Sequence, residues 1–200
     1  MIVERVVNSV FSSNTYLLHE DGQLDYWLVD IGDIDPVLAL IPDGAQVRGV
    51  FLTHSHYDHI YGINRLVHHF PACVVYTSEH GREGLYSDKL NISRYHGESL
   101  VFQGGNVQLL REGDRVPLSP GCELEVFETP GHDWSCLTYR VGDAVFSGDS
   151  YLPGVEVFTR FPRSDKIQAT TSEKRILSLV CERVLYPGHG DIVCNNFTVK

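Results

Sequence analysis

The 200-residue sequence lacks several features that define particular classes of protein. Its five cysteines are odd in number and form no CxxC pair, which argues against a disulfide framework or a thiolate zinc knuckle. Glu4 and Arg5 interrupt the early apolar stretch, and no apolar window of about 18 residues follows, so we predict neither a secretory signal nor a membrane span. We therefore expect a cytoplasmic protein whose cysteines are mostly small core residues.

The sequence also lacks basic runs, internal repeats and low-complexity segments. Its 16 basic and 26 acidic residues give a net charge of -10, which disfavours binding to nucleic-acid phosphates or to an anionic membrane surface. The hydrophobic fraction of 42% and the charged fraction of 21% are ordinary for a globular protein. We expect one domain over residues 1–200 that acts on a small-molecule substrate, and the sequence does not indicate an oligomeric state.

The hydrophobic periodicity predicts two series of strands, each associated with helices. A helical pattern runs over residues 60–70, a second helix is predicted over 79–86, and Thr170 with Glu173 matches the capping box of a third. Strands are predicted at 2–10, 14–19, 26–30, 49–53, 74–76, 122–127, 135–141, 144–146 and 184–186. Two sheets with helices outside them are the economical arrangement of this order.

The segment THSHYDHIYG, residues 53–62, concentrates side chains that bind metals. Residues i and i+2 of an extended segment point the same way, so His54 and His56 can share one metal ion. Asp58 and His59 follow where the chain turns into the predicted helix, and they can face a second metal. These four side chains within residues 54–59 therefore predict two adjacent metal sites.

Four residues do not complete two catalytic metal sites, so further ligands are expected at other strand ends. Small residues there would let the backbone approach the metals. Three segments meet both conditions: TPGH ending at His132, SGD ending at Asp149, and PGHG around His189.

This set of motifs resembles the metallo-β-lactamase-fold superfamily. HSHYDH, the later PGH, GD and PGHG, and the early VDIGD at residues 29–33 occur in the family's order and span most of the chain. The resemblance implies an α/β (α+β) fold, a four-layer αββα sandwich of two mixed β-sheets flanked by helices. It implies that the metals lie at one edge of the sandwich.

The resemblance also implies a role for each motif residue. His54, His56 and His132 would hold one metal, and Asp58, His59 and His189 the other, with Asp149 bridging the two. Asp30 would support the ligands without touching a metal. His68, His69, His80 and His96 are interpreted instead as surface or core histidines.

The implied chemistry is hydrolysis by an activated water. Two divalent metal ions are expected, with zinc favoured and iron or manganese as alternatives, because the predicted set contains imidazoles and carboxylates but no thiolate. Asp58 is a candidate proton acceptor. Tyr151 is a candidate hydrogen-bond donor to a substrate carbonyl, although packing against the adjacent loop explains it equally well.

Within the superfamily, the chain resembles the small glyoxalase II-like hydrolases, which implies a thioester, ester or lactone substrate. It departs from them after Asp149, where it reads SYLPGVEVFTRFPRSDK in place of GR and an acidic residue. It also ends at Lys200, soon after His189, so we expect no counterpart of the helical domain that binds glutathione in the full-length enzymes.

Three other functions remain open. A mononuclear-iron sulfur (persulfide) dioxygenase of the same fold would use His54, His132 and Asp149 as its iron ligands. A binding module without turnover and a phosphodiesterase are less favoured.

The long irregular segment 81–105 is a candidate lid or binding loop, although a short helix within it is the competing interpretation. Candidate substrate contacts outside the metal motifs are Arg94, Tyr95, His96, Arg160 and Arg163.

Overall fold

The computed structural model describes residues 1–194 and contains two six-stranded sheets. The first sheet has the strands in chain order, with β1 antiparallel to β2, β2 antiparallel to β3, and β3 to β6 parallel. Its strands are β1 Ile2–Val7, β2 Asn14–His19, β3 Asp25–Val29, β4 Gln46–Phe51, β5 Val74–Thr77 and β6 Val107–Leu109.

The second sheet also keeps chain order, from β7 at one edge to β12 at the other. Its neighbouring strands are antiparallel except for β10 and β11, which run parallel because a helical crossover connects them. The strands are β7 Arg115–Ser119, β8 Cys122–Glu128, β9 Leu137–Val141, β10 Ala144–Gly148, β11 Val184–Pro187 and β12 Val193–Cys194.

Five α-helices and a one-turn 3-10 helix at Ser93–Tyr95 complete the described chain. The α-helices are α1 Ile34–Leu40, α2 Tyr57–Ile60, α3 Ile63–His69, α4 Glu79–Leu85 and α5 Lys166–Leu179. None of the helices in residues 1–194 is long and apolar enough to cross a membrane.

Alternation along the strands produces the layers. Tyr16 and Leu18 of β2 point into a cluster shared with the second sheet, whereas Leu17 between them packs towards α1 and α3. In β10, Phe146 joins the cluster between the sheets and Val145 packs against α5. The layers are therefore helices, sheet, sheet and helix, which confirms the predicted αββα sandwich of two mixed sheets.

Three local predictions were wrong. Helix α5 begins four residues before Thr170, because the Asp165 carboxylate accepts hydrogen bonds from the backbone N–H groups of Ile167 and Gln168, both at 2.8 Å, and so caps the helix earlier. Strands β6, β7 and β12 and helix α1 were not predicted from the sequence. Cys73 and Cys136 are buried as expected, but the other three cysteines are partly or fully exposed.

Candidate metal centre

The loops that follow four strands bring all seven predicted ligands together. Strand β4 leads into His54 and His56, and the short helix α2 carries Asp58 and His59. His132 follows β8, Asp149 follows β10 and His189 follows β11. His56 has extended backbone angles (φ -67°, ψ 148°) at the start of α2, so the chain turns there, as predicted, between the first and second pair.

These residues form three overlapping groups whose candidate ligand atoms lie within 4.8 Å of one another. The first group contains three imidazoles, the second contains two imidazoles and the Asp149 carboxylate, and the third contains two imidazoles and the Asp58 carboxylate. The groups are His54, His56 and His132; His54, His59 and Asp149; and Asp58, His59 and His189. The first two groups share His54 and the last two share His59, so the three groups adjoin one another.

Asp30 organises two of the histidines from behind. Its carboxylate accepts hydrogen bonds from the backbone N–H and the hydroxyl of Thr53, both at 2.7 Å, and from Nδ1–H of His59 at 2.9 Å. Because the Thr53 hydroxyl donates to Asp30, it accepts from Nδ1–H of His54 at 3.1 Å. Both imidazoles consequently present Nε2 to the centre of the site.

The Nε2 atoms of His59 and His189 face each other at 3.2 Å. Nδ1 of His189 donates to the carbonyl oxygen of Phe11 at 3.1 Å, and Nδ1 of His59 donates to Asp30, so neutral forms of both rings direct lone pairs at each other. Such an arrangement needs a cation, either a proton or a metal ion, between the rings. The donor set therefore fits a metal.

Two other atoms support this fit. Nε2 of His54 and Oδ1 of Asp149 are buried and have no hydrogen-bond partner in the described part of the chain. An unpaired buried polar atom costs about 1 to 3 kcal/mol, so both atoms call for a ligand. The unpaired atoms of the site are thus an imidazole nitrogen and a carboxylate oxygen, which are ligand atoms that zinc, iron and manganese bind.

His56 directs Nδ1 towards the other ligands, whereas His54 and His59 direct Nε2. Its Nδ1 lies 2.9 Å from Nε2 of His132, while its Nε2 lies 3.7 Å from Oδ2 of Asp133. Nδ1 of His132 donates to the carbonyl oxygen of Phe158 at 2.9 Å. Asp133 therefore favours the tautomer of His56 that carries its proton on Nε2 and leaves Nδ1 for the metal.

Asp133 and Arg163 form a buried ion pair behind His56 that the sequence did not reveal. The Arg163 Nε atom lies 3.7 Å from Oδ2 of Asp133, and its Nη2 donates to the His80 carbonyl oxygen at 3.2 Å. Arg163 is only 7% exposed, so it is a buried part of the site and not a solvated arginine of the loop. The sequence places Asp133 directly after the predicted ligand His132, but nothing next to it in the chain points to Arg163.

Electrostatics reflect the crowding of unlike charges. Burial lowers the pKa of His59, but the carboxylates of Asp58 and Asp149 outweigh it and raise the pKa to about 9. The pKa of His189 is raised to about 10, because its hydrogen bonds to Asp149 and Asp58 outweigh burial. Burial and neighbouring imidazoles hold the pKa of His54 well below its usual value.

The pKa values of two carboxylates near the ligands are lowered. Burial raises the pKa of Asp149, but His59, His189 and other imidazoles outweigh it and keep the pKa well below its usual value. The pKa of Asp133 falls to about 2, since His56 and the hydrogen bonds from Ser135 overcome the effect of burial. These carboxylates are therefore anionic and available to cations near neutral pH.

Two glycines allow the strand ends to meet. Gly148 has a positive φ of 51°, and a Cβ atom there would lie 2.5 Å from the Thr53 side chain. A Cβ atom at Gly188 would lie 2.2 Å from Oδ1 of Asp149. The expectation that small residues accompany the later ligands is thus explained by direct steric contact.

The structure separates the other candidate residues. The Tyr151 ring packs against the α5 cluster with Val145 and Leu185, a contact that favours packing over catalysis, although its catalytic role remains a prediction. Arg94 pairs with Asp88 at 2.6 Å on the surface. Tyr95, His96 and Arg163 line one cavity beside His56, whereas Arg160 lines a different depression.

Two neighbouring residues have simple structural roles. The Tyr57 ring stacks on His96 with 5.6 Å between the ring centroids. Trp134 is 48% exposed and lies beneath the Arg163 guanidinium.

The sequence and the structure both match one superfamily. The family model described as the metallo-beta-lactamase superfamily matches residues 9–189, so the chain belongs to that superfamily. The hydroxyacylglutathione hydrolase of Citrobacter koseri is 31% identical over 128 residues, which are 64% of this chain and 43% of that protein. The chain therefore matches less than half the length of this curated relative.

Solved structures share the fold over nearly the whole chain. The BLEG-1 B3 metallo-beta-lactamase has a TM-score of 0.87 at 23% identity, covering 96% of this chain and 94% of that one, which establishes the fold alone. TTHA1623, solved in a di-iron-bound form, has a TM-score of 0.81 at 28% identity with the same coverage of both chains.

Proposed function

We propose that this protein is a metal-dependent hydrolase that cleaves a thioester, ester or lactone at a dinuclear site. The observation that carries the proposal is the set of three overlapping ligand groups, in which unpaired or opposed donor atoms converge from seven side chains. The similarity to a hydroxyacylglutathione hydrolase supports a thioester as the substrate class. Zinc is the favoured metal, and the di-iron form of TTHA1623 makes iron the main alternative.

His54, His56 and His132 would hold one metal, and Asp58, His59 and His189 the other, with Asp149 between them. When bound, the metals supply an activated water and positive charge that stabilises the oxyanion developing on the carbonyl. Asp30 and Asp133 fix the ring nitrogens that face the centre. Phe161 covers the edges of two ligands, with ring centroids 4.7 Å from His56 and 5.7 Å from His132, and limits their access to bulk water.

Asp58 would accept the proton of the attacking water. Its Oδ2 lies 3.3 Å from Nε2 of His189 and 3.4 Å from Nε2 of His59, within the second ligand group. Its pKa is lowered, because the two imidazoles outweigh burial, so the carboxylate is ionised and able to take a proton.

The test is thiol release from a simple thioester by the zinc-loaded protein. We expect turnover that a chelator abolishes and added zinc restores, and a loss of about 100-fold in kcat for Asp58→Asn protein that retains its metal. Asp143→Asn is the matched control. Asp143 is an exposed residue that directly precedes β10, whereas the predicted ligand Asp149 directly follows that strand. Full turnover by metal-loaded Asp58→Asn protein would remove Asp58 from the mechanism.

A mononuclear-iron persulfide dioxygenase is the second candidate. The observation in its favour is that Nε2 of His132 lies 3.6 Å from Oδ2 of Asp149, which with His54 offers two imidazoles and one carboxylate, the ligand pattern of non-haem iron oxygenases. Oxygen consumption with a persulfide, without thioester cleavage, would support this function in place of hydrolysis.

A further inference from the structure

A cavity of about 450 Å³ adjoins the metal centre on the side of His56. Its volume lies within the range of roughly 300 to 1,000 Å³ that is typical of small-molecule sites. The buried end is formed by His56 and Asp133, one wall by five residues of the segment 89–96, and a second wall by Phe161, Pro162 and Arg163. A molecule in this cavity therefore has one end beside a predicted metal ligand.

The first wall is held in a fixed conformation. Asn91 is fully buried, and its side-chain amide donates to the carbonyl oxygens of Gly84 and Leu100 at 3.0 and 2.9 Å, while its Oδ1 accepts from the Ser93 N–H at 3.0 Å. These bonds hold Ile92 with a positive φ of 61°, which is unfavourable for a β-branched residue. Such strain persists only where the surroundings impose it, and it concentrates at binding sites.

The second wall is aromatic and rests directly on the metal ligands. The Phe161 ring contacts His56 and His132, and its centroid lies 4.7 Å from that of Phe158. Leu90 and Ile92 of the first wall add aliphatic surface, so most of the cavity surface is carbon. Removal of this surface from water would favour an apolar ligand.

The positive charge of Arg163 in the cavity wall is balanced by two neighbouring carboxylates. The Arg163 guanidinium lies 3.7 Å from Asp133 and 3.6 Å from Glu83 and over the Trp134 ring, although its Nε and Nη1 atoms have no hydrogen-bond partner within residues 1–194. Lys89 is the other cation in the wall, and it has no ion-pair partner within residues 1–194. One exposed ammonium group is poor provision for a thiol carrier with several carboxylates or phosphates.

We propose that this cavity binds the apolar acyl group of the substrate and holds the reacting carbonyl at its buried end, beside His56. In a thioester of a charged thiol carrier, the acyl group is the apolar half, and it is the half that this surface complements. The inference rests on the proposed hydrolase function and deepens it. The protein should therefore select substrates by acyl length and apolarity.

The test compares two carboxylates that differ only in chain length. Acetate and hexanoate are titrated into the zinc-loaded protein, and binding is followed by calorimetry and by NMR shifts of residues 89–96. Each methylene moved from water into an apolar wall strengthens binding about four-fold, so hexanoate, with four more methylenes, should bind about 250-fold more tightly than acetate. Equal binding of the two acids, or shifts elsewhere, would overturn the proposal.

A matched pair of variants locates the effect. Ile92→Asn removes apolar surface at a position whose positive φ asparagine adopts easily, and Leu90→Asn does so at a neighbouring position in the same wall. Both should reduce the preference for hexanoate to about 10-fold or less. Ile167→Asn, at a residue 81% exposed on α5, makes the same chemical change and should keep the preference. An undiminished preference in both cavity variants would refute the assignment.

Turnover separates this inference from the proposed function. S-acetyl and S-hexanoyl esters of one thiol, N-acetylcysteamine, are assayed under the same conditions. Hydrolysis without acyl preference would overturn the cavity assignment and leave the hydrolase intact. Selective hexanoate binding without cleavage of either thioester would contradict the hydrolase function and leave the cavity assignment standing.

Discussion

Replacement of Asp30 by asparagine tests the support of the metal centre most sharply. Oδ2 of Asp30 accepts hydrogen bonds from the Thr53 hydroxyl and from Nδ1–H of His59, and Oδ1 accepts from the Thr53 backbone N–H. Asparagine keeps one oxygen as an acceptor and replaces the other oxygen with an amide NH2 group, which is a donor. Two buried donors would then face another donor, and the tautomers of His54 and His59 would no longer be fixed.

The expected magnitude follows from these contacts. A hydrogen bond to a charged group contributes about 1.5 to 3 kcal/mol, so the loss of two costs about 3 to 6 kcal/mol. Burial raises the pKa of Asp30, which means that its charge is costly, and neutralising it returns part of that loss. We expect the metal-free protein to lose about 2 to 4 kcal/mol of unfolding free energy and zinc affinity to fall about 10- to 100-fold.

The assays are urea unfolding of the metal-free protein and zinc competition against a chromophoric chelator. Asp33→Asn is the matched control, because Asp33 belongs to the same VDIGD segment but bonds to Ser9 and Tyr61 instead of to a ligand histidine. The control should keep its zinc affinity. Wild-type zinc affinity in Asp30→Asn, or an equal loss in Asp33→Asn, would refute the reasoning.

Three further predictions concern the same centre. Asp133→Asn should weaken zinc binding about 10-fold, measured by the same competition, because His56 loses the anion that fixes its tautomer. Gly148→Ala should cost about 2 to 4 kcal/mol in urea unfolding, since its φ is positive and its Cβ would lie 2.5 Å from a threonine side chain, whereas Gly105→Ala, with open space around it, should not. The pKa of His189 is raised to about 10 in the metal-free protein, so at pH 7 its ring carries a proton that zinc must displace; calorimetry in buffers of different ionisation enthalpy should detect proton release, and zinc affinity should rise from pH 6 to pH 8. A pH-independent affinity would contradict this last prediction.

Short-range patterns made most of the site predictable. The spacing of His54, His56, Asp58 and His59 encodes the end of a strand followed by a helical turn, which depends only on local geometry. His132, Asp149 and His189 are distant in sequence, but each follows a strand next to a glycine, and the family resemblance supplied their pairing. Their convergence in the structure is therefore expected once the two sheets form.

Other features depend on contacts that no local pattern records. The Asp133 and Arg163 pair joins residues from two loops, and only the fold brings them behind His56. Strand β6 has three residues and could not be recognised by alternation. The start of α5 was misplaced because Asp165 was a stronger local cap than the Thr170 motif that matched a general pattern.

The cavity wall illustrates the same limit. The segment that follows α4 was predicted only as a possible lid, because its course is fixed by Asn91 contacts with Gly84 and Leu100 and by the Asn91 carbonyl oxygen, which accepts from the Tyr57 N–H at 2.9 Å. The competing expectation of a short helix there also has a counterpart, the single 3-10 turn at Ser93–Tyr95.

Metal content per chain, measured by plasma mass spectrometry on protein purified without added metal, tests the central claim most directly. The dinuclear account predicts about two zinc ions per chain, with thioester turnover and metal content both reduced in His56→Ala. One iron per chain with oxygen consumption and no thioester cleavage would contradict it, as would a protein that binds no metal with the seven ligands intact.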